Sequence, residues 1–224
     1  MKEVTFLLPV FNKEKKIGLI LEKLRNNYPD SKIIVIDNNS KDKTAKIACN
    51  SGAQVLHEKE HGKYLAIKKG FRNVKTKFAV LLDADDIHPE EIKKLVKNIL
   101  TKKTDILLGS KINNKRKMIS ITKFNLINYY LFLLISSLLY YKTSDVFTGY
   151  WVFKRNFIDY ILQKDIHSTG FEGETEMFSI ISKGKFKIVE MPVKPYNTAN
   201  SITFNPLNDN WKIYRTITGL IRSN

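Results

Sequence analysis

A chain of 224 residues with 43% hydrophobic and 11% aromatic residues is long enough to bury one large α/β core and too short for two comfortable ones, which excludes intrinsic disorder and predicts a single domain. Lys and Arg number 38 against 22 Asp and Glu, a net charge of +16 that suits polyanions: nucleotide phosphates, nucleic acid or an anionic membrane surface. The lone Cys49 excludes an internal disulfide and any Cys-rich metal site, and fits a reducing compartment.

The start, MKEVTFLLPVF, is strand-like at once, so no targeting segment and a cytoplasmic protein are expected. Residues 4 to 10 form an apolar run ended by Pro9, Phe11 and Asn12, and Ile17, Ile20, Leu21 and Leu24 follow at helix spacing. KIIVIDNN is a β-branched strand ending on Asp37. Ser40, Asp42 and Thr44 then supply turn and cap residues for the helix TAKIACNSG, closed by Gly52. Ala53 to Leu56 is a third strand, and HGKYLAIKKGF reads as a loop entering a helix. The run Ala79 to Leu82 is a buried strand, followed by a helix carrying Ile92, Leu95, Val96, Ile99 and Leu100, and residues 105 to 109 are one more strand. Such alternation predicts a mostly parallel sheet with helices on both faces, and right-handed crossovers place the strand-end loops on one rim.

Those loops hold Asn12, Asp37, Asn38, Lys63, Asp83 and Asp85. Asp83 and Asp85 stand in VLLDADDIHPEEI, at the carboxyl end of a strand, where ligands of open α/β sheets bind. Asp-x-Asp places two hard oxygen ligands within reach of one Mg²⁺ or Mn²⁺. Pro89, Glu90 and Glu91 open the next helix where its dipole favours them, so an acidic turn capping a helix is the alternative reading. No Gly-x-Gly-x-x-Gly follows the first strand and no phosphate-binding Gly-x-x-x-x-Gly-Lys-Ser/Thr occurs, so phosphates here need a metal rather than a glycine cradle.

Taken in order, PVFNKE, VIDNNSKDKT, HGKYLAIKKGF, LLDADDIHPEE, GSK, DVFTGYWVFKRNFI, TGFEGETEMFSIISKGKFKIVEMPV and Tyr196 resemble the successive motifs of inverting family 2 glycosyltransferases. These have the GT-A fold, an α/β architecture, and the likeness is to the dolichol-phosphate mannose synthases and other polyprenyl-phosphate glycosyltransferases. The resemblance implies that Pro9, Phe11, Asp37 and Asn38 surround the base and ribose of a GDP- or UDP-hexose, with Lys63 and Lys111 near the base or diphosphate. Asn12, Glu14 and Ala84 complete the donor-binding set. Asp83 then holds ribose and metal, and Asp85 the metal on the diphosphate, where a divalent ion neutralises the charge that builds on the leaving nucleotide. Lys13 stands where the family usually has Glu, Tyr64 where it has Gly, and Asn38 and Asn39 where it has Asp and Gly.

Residues 124 to 141, FNLINYYLFLLISSLLYY, carry no charge over 18 positions, the lower edge of transmembrane length. Spanning, buried core and interfacial helices compete. Four tyrosines, two asparagines and two serines fit an interface better than a bilayer centre, and a crossing would separate motifs that the resemblance puts in one site. Lys111, Lys115, Arg116, Lys117 and Lys123 lead into the stretch and Lys142 closes it, so 112–142 is expected to dock on anionic headgroups at the inner membrane face unless the charge run is simply a solvated surface. At the C terminus, 207–224 reads as an amphipathic helix with Trp211, Tyr214, Ile217 and Ile221 at helical spacing.

Glu172, Glu174 and Glu176 lie in GFEGETEMF. The resemblance puts the last two near the acceptor, where either is a candidate catalytic base for a hydroxyl nucleophile; a phosphate nucleophile is already an anion and needs none. Acidic residues at a helix start are also favoured by the dipole alone. Ser201, in YNTANSITF, stands where the lipid-phosphate enzymes grip the acceptor phosphate, without their flanking Arg and Lys.

The four histidines lack metal-ligand spacing. The basic residues are scattered over helix faces with no recognition motif, so nucleic acid is not an expected partner. PVFNKE is not the glycine-rich phosphate loop of a nucleotidyltransferase. The expected activity is metal-dependent, inverting transfer of a hexose from a nucleotide sugar to a lipid-linked acceptor, polyprenyl (dolichyl) phosphate first and a sugar hydroxyl of a glycan or glycolipid as the alternative.

Overall fold

The computed structural model describes residues 2–85, 87–101, 104–110, 148–184, 186–194 and 206–222. The 112–142 segment with its apolar stretch, Lys111 and Ser201 lie outside the described residues.

A seven-stranded sheet organises the chain, in the order β3-β2-β1-β4-β6-β5-β7. Its strands are β1 (Val4–Val10), β2 (Lys32–Asp37), β3 (Gln54–His57), β4 (Phe78–Leu82), β5 (Ile106–Ser110), β6 (Tyr150–Lys154) and β7 (Ile188–Pro192). Strands β1 to β4 pair in parallel, as the alternating pattern predicts, and β7 lies parallel to β5. Strand β6 runs antiparallel to both of its neighbours, β4 and β5. This reversed strand is a feature that apolar patterning does not reveal: YWVFK is buried on both faces whichever way it runs, and direction is set by its partners.

The helices are α1 (Glu14–Asn27), α2 (Thr44–Asn50), α3 (Lys63–Arg72), α4 (Pro89–Thr101), α5 (Arg155–Ile161), α6 (Glu172–Lys183) and α7 (Pro206–Arg222). Because side chains alternate across a strand, each strand feeds two cores. Phe6, Leu8, Val35, Val80, Leu82 and Val152 pack with Ile17, Leu21 and Leu24 of α1 and Ile92, Leu95 and Val96 of α4 on one face. Leu7, Ile34, Ile36, Leu81, Trp151 and Phe153 pack with α3, α5 and α6 on the other. Deep burial of apolar surface on both faces, at roughly 25 cal/mol per Å², is what holds the sheet flat-on between its helices.

The amphipathic reading of the C-terminal helix is revised in its details. Ile213 and Ile217 are the buried pair, whereas Trp211 and Tyr214 are exposed and stack on one another at 5.9 Å. Positions 213 and 217 are one turn apart and form one ridge, and that ridge faces inward. No helix among the described residues is long and apolar enough to cross a membrane.

Candidate active site

The carboxyl ends of β1, β2 and β4 lie side by side, so their loops meet at one rim, and polar side chains lace them together. Asn12 adopts the left-handed conformation with φ 51, which a short polar side chain tolerates. Its N–H donates to Ser40 Oγ at 3.0 Å and its side-chain oxygen accepts from the Lys41 N–H at 2.8 Å. Glu14 accepts from the Lys43 N–H at 3.0 Å while its own N–H donates to Asp42 at 3.1 Å. Asn38 is buried; its amide donates to the Glu60 carbonyl and accepts from the Gly62 N–H, both at 2.8 Å. Asn12, Glu14 and Asn38 thus brace loops in this structure.

Pro9 pairs with Ile36 inside the sheet, and the Phe11 ring lies 4.5 Å from that of His61. Asp37 is 4% exposed. One of its oxygens is 3.4 Å from His57 Nδ1, and the other, Oδ1, is buried with no partner among the described residues. A buried acceptor left unmatched costs on the order of 1–3 kcal/mol.

Beyond β4, the Asp83 N–H donates to the Gly149 carbonyl at 3.1 Å, which ties the acidic turn to the start of β6, and Ala84 is buried beneath it. Each aspartate then meets a lysine from a different loop. Lys13 Nζ lies 2.6 Å from Asp85 Oδ1, and Lys63 Nζ lies 3.1 Å from Asp83 Oδ1. Lys63 also reaches Glu174 at 3.1 Å and stands 5.1 Å from the centre of the Phe171 ring. Burial alone would lower the Lys63 pKa, but Asp83 and Glu174 together outweigh it and hold the ammonium above its ordinary value. Lys63 is therefore charged throughout the neutral range.

Close backbone approach positions Lys63. The Tyr64 N–H donates to the Thr169 carbonyl at 2.9 Å, and a Cβ at Gly62 would sit 2.4 Å from that oxygen. Tyr64 is buried against Gly173, where a Cβ would come within 2.4 Å of the Tyr64 Cβ and Cγ. The tyrosine that stands where a glycine is usual is thus accommodated by a glycine across from it, on α6.

The three glutamates in the first turns of α6 all have protein partners. Glu172 accepts from the N–H groups of Thr169 and Gly170 at 3.2 and 3.0 Å. Glu176 accepts from those of His167 and Ser168 at 3.3 and 3.0 Å, one on each oxygen. Glu174, only 1% exposed, is the anion beside Lys63. Asp83, Asp85, Lys63 and Glu174 are brought together as the sequence motifs predict. Lys13 joins them unforeseen, since no local pattern relates it to an aspartate 72 residues away.

Asp83 and Asp85 suit a hard divalent cation: Mg²⁺ is commonly bound by one or two carboxylates together with substrate phosphates and water. Among the described residues no group of three His, Cys, Asp or Glu could hold a metal.

The family model for Glycosyl transferase family 2 matches residues 5–162. Among relatives, the chain is 27% identical over 229 residues to a UDP-N-acetylglucosamine--dolichyl-phosphate N-acetylglucosaminyltransferase of Methanococcus voltae, covering 90% of this chain and 88% of the relative. It is 29% identical over 205 residues to an undecaprenyl-phosphate mannosyltransferase of Micrococcus luteus, covering 85% and 82%. Among solved structures, glucosyl-3-phosphoglycerate synthase of Mycobacterium tuberculosis in complex with Mn²⁺, UDP-glucose and phosphoglyceric acid superposes with a TM-score of 0.70 at 19% identity, covering 98% of this chain and 78% of that one. Mannosyl-3-phosphoglycerate synthase of Rubrobacter xylanophilus gives 0.70 at 19%, covering 98% and 72%. The fold is that of the GT-A glycosyltransferases.

Proposed function

The chain belongs to glycosyl transferase family 2, and on that premise we propose that this glycosyltransferase moves a hexose from a UDP- or GDP-sugar to a phosphate acceptor, polyprenyl phosphate in the first instance, with inversion at the sugar's C1. The observation that carries the reading is the rim cluster, in which Asp83 is paired with Lys63 and Asp85 with Lys13, on the same rim as the unmatched Asp37 oxygen at the end of β2. Asp37 receives a donor hydrogen bond from the base or ribose. Phe11 offers an apolar ring just beyond Val10, the residue of β1 that pairs with Asp37, and Asp83 and Asp85 would hold a divalent ion, Mg²⁺ or Mn²⁺, for the diphosphate. The ion, when bound, supplies Lewis-acid neutralisation of the leaving group. Lys63 adds a fixed positive charge near the same oxygens, and its two carboxylate partners keep it from drifting.

Acceptor chemistry is supported by how the glutamates are occupied. A hydroxyl acceptor needs a carboxylate to take its proton; here Glu176 already accepts a backbone N–H on each oxygen and Glu174 is paired with Lys63. A phosphate oxygen attacks C1 as an anion. Its new C–O bond forms as the bond to the diphosphate breaks, the electron pair leaving with the nucleotide, and no proton has to be removed. The lipid-phosphate substrates in the names of the two relatives agree with this. Membrane-surface docking from the cytoplasmic side is part of the proposal, supported by the net charge of +16 and by the exposed Trp211 and Tyr214 on α7.

The test is a partition assay with the full chain, Mn²⁺, labelled nucleotide sugars and polyprenyl phosphate in detergent, followed by organic extraction. Label in the organic phase, released by mild acid, is the expected result and names the donor. Label that stays aqueous while the nucleotide sugar binds would overturn the lipid-phosphate acceptor in favour of a hydroxyl.

A further inference from the structure

The two lysines at the acidic turn are held differently. Lys63 sits between two carboxylates and against an aromatic ring, so losing one partner still leaves it anchored. Among the described residues Lys13 is paired with one carboxylate, Asp85, and its side chain is 13% exposed. Its backbone, by contrast, does not move freely: the Lys13 N–H donates to Thr44 Oγ1 at 2.7 Å, and its carbonyl accepts from Lys16 and Ile17 at the first turn of α1. The result is a flexible four-carbon stem on a fixed root, with its ammonium on the carboxylate that the reading above assigns to a metal.

Charge makes this pairing consequential. Among the described residues three carboxylates, Asp83, Asp85 and Glu174, face two ammonium groups, a balance of about one net negative charge instead of the two or three that attract a divalent cation strongly. A nucleoside diphosphate changes the balance twice. Its oxygens offer Lys13 a better anion than one carboxylate, lysine being a common phosphate ligand, and they add oxygen ligands to those of Asp83 and Asp85.

We propose that Lys13 is a resident counter-cation that keeps Asp85 closed to a divalent ion until a nucleoside diphosphate draws the ammonium away, so that metal binding is conditional on the donor. The inference rests on the donor-site reading of Asp83 and Asp85, and it makes Lys13 a positioning residue whose role shows in binding order before any turnover.

The experiment measures Mn²⁺ binding to the full chain from the electron paramagnetic resonance signal of free Mn²⁺, with and without UDP. In the parent, UDP should tighten Mn²⁺ binding strongly. Lys13→Met should bind Mn²⁺ without UDP about tenfold more tightly than the parent, the size of effect one adjacent charge exerts on a carboxylate, and the gain from UDP should shrink by a similar factor. Lys13→Arg, which keeps the charge, and Lys15→Met, which removes an exposed charge one turn-position away, should both stay within about twofold of the parent. Unchanged nucleotide-free affinity in Lys13→Met, with UDP still promoting Mn²⁺ binding, would overturn the role of Lys13 and leave the donor site standing. Mn²⁺ binding in no variant, even with UDP, would overturn both.

Discussion

The loops after β1 and β2 are braced by one another, whereas the segment before α6 is braced by its own helix. On the first side, Asn12, Glu14, Asp42 and Asn38 cross between loops to bond backbone groups far away in sequence. On the second, Glu172 and Glu176 turn back onto N–H groups two to nine residues earlier. The first arrangement leaves one buried oxygen of Asp37 unmatched among the described residues and sets Asp83 and Asp85 at the rim; the second occupies both oxygens of Glu176 but only one of Glu172, whose buried Oε2 has no partner among the described residues. On the function proposed above, substrate chemistry concentrates on the β1–β4 side, and the α6 side contributes shape and the anion that pairs with Lys63. The two sides are joined at Lys63–Glu174, Gly62–Thr169 and Tyr64–Gly173.

That contrast can be broken from its chemical side first. Asp85→Asn should lower transfer by at least about 100-fold, the few kcal/mol that charge neutralisation by a metal contributes. The unfolding midpoint should stay within a few degrees, because the amide keeps the size of the carboxylate and an oxygen that can accept from Lys13 Nζ. Turnover and thermal unfolding on one preparation check both; a variant with full turnover would remove Asp85 from the reaction.

The joint between the sides comes next. Gly173→Ala places a Cβ against the Tyr64 ring, and overpacking of this kind costs about 1–3 kcal/mol. In a double-mutant cycle with Tyr64→Ala the combined loss of stability should be smaller than the sum of the single losses, since removing the ring opens the space. Strict additivity would mean that the two positions do not meet.

A smaller effect is expected at Glu176. If its carboxylate only braces the backbone, Glu176→Gln should reduce kcat less than about tenfold, where loss of a general base costs about 10²–10⁴-fold. A drop in the larger range would restore this residue as a base and point to a hydroxyl acceptor.

The smallest effect concerns acid. What burial Asp42 has raises its carboxyl pKa, but hydrogen bonds from the Thr44 hydroxyl and from the N–H groups of Thr44 and Glu14 outweigh this and hold it below the ordinary 3.8. A folded value below the unfolded one stabilises the protein above about pH 3.8 and is lost as pH falls through the folded value. Asp42→Asn should thus be less stable than the parent at pH 7, by under about 1 kcal/mol given its exposure, and the gap should narrow towards pH 3. A gap that widens in acid would reverse the sign.

Much of this was legible in the residues themselves. The apolar runs at 4–10, 32–37 and 78–82 and the helical spacing between them predict parallel strands and crossover helices, because local periodicity determines which faces can be buried. The order of short motifs likewise pointed to the family and to Asp83, Asp85 and Lys63. Other features needed the folded chain. The reversed direction of β6 depends on its neighbours, and the inward turn of Ile213 and Ile217 depends on what the last helix packs against. The occupancy of Glu174 and Glu176 and the pairing of Lys13 with Asp85 are matters of contact between loops. Periodicity carries information over one helix turn or one strand; contacts such as Lys63–Glu174, 111 residues apart, exist only once the sheet has set its loops side by side. Residue types and spacing determined an α/β sheet with an acidic rim, and the tertiary structure alone decided which of the rim's charges are already neutralised by one another.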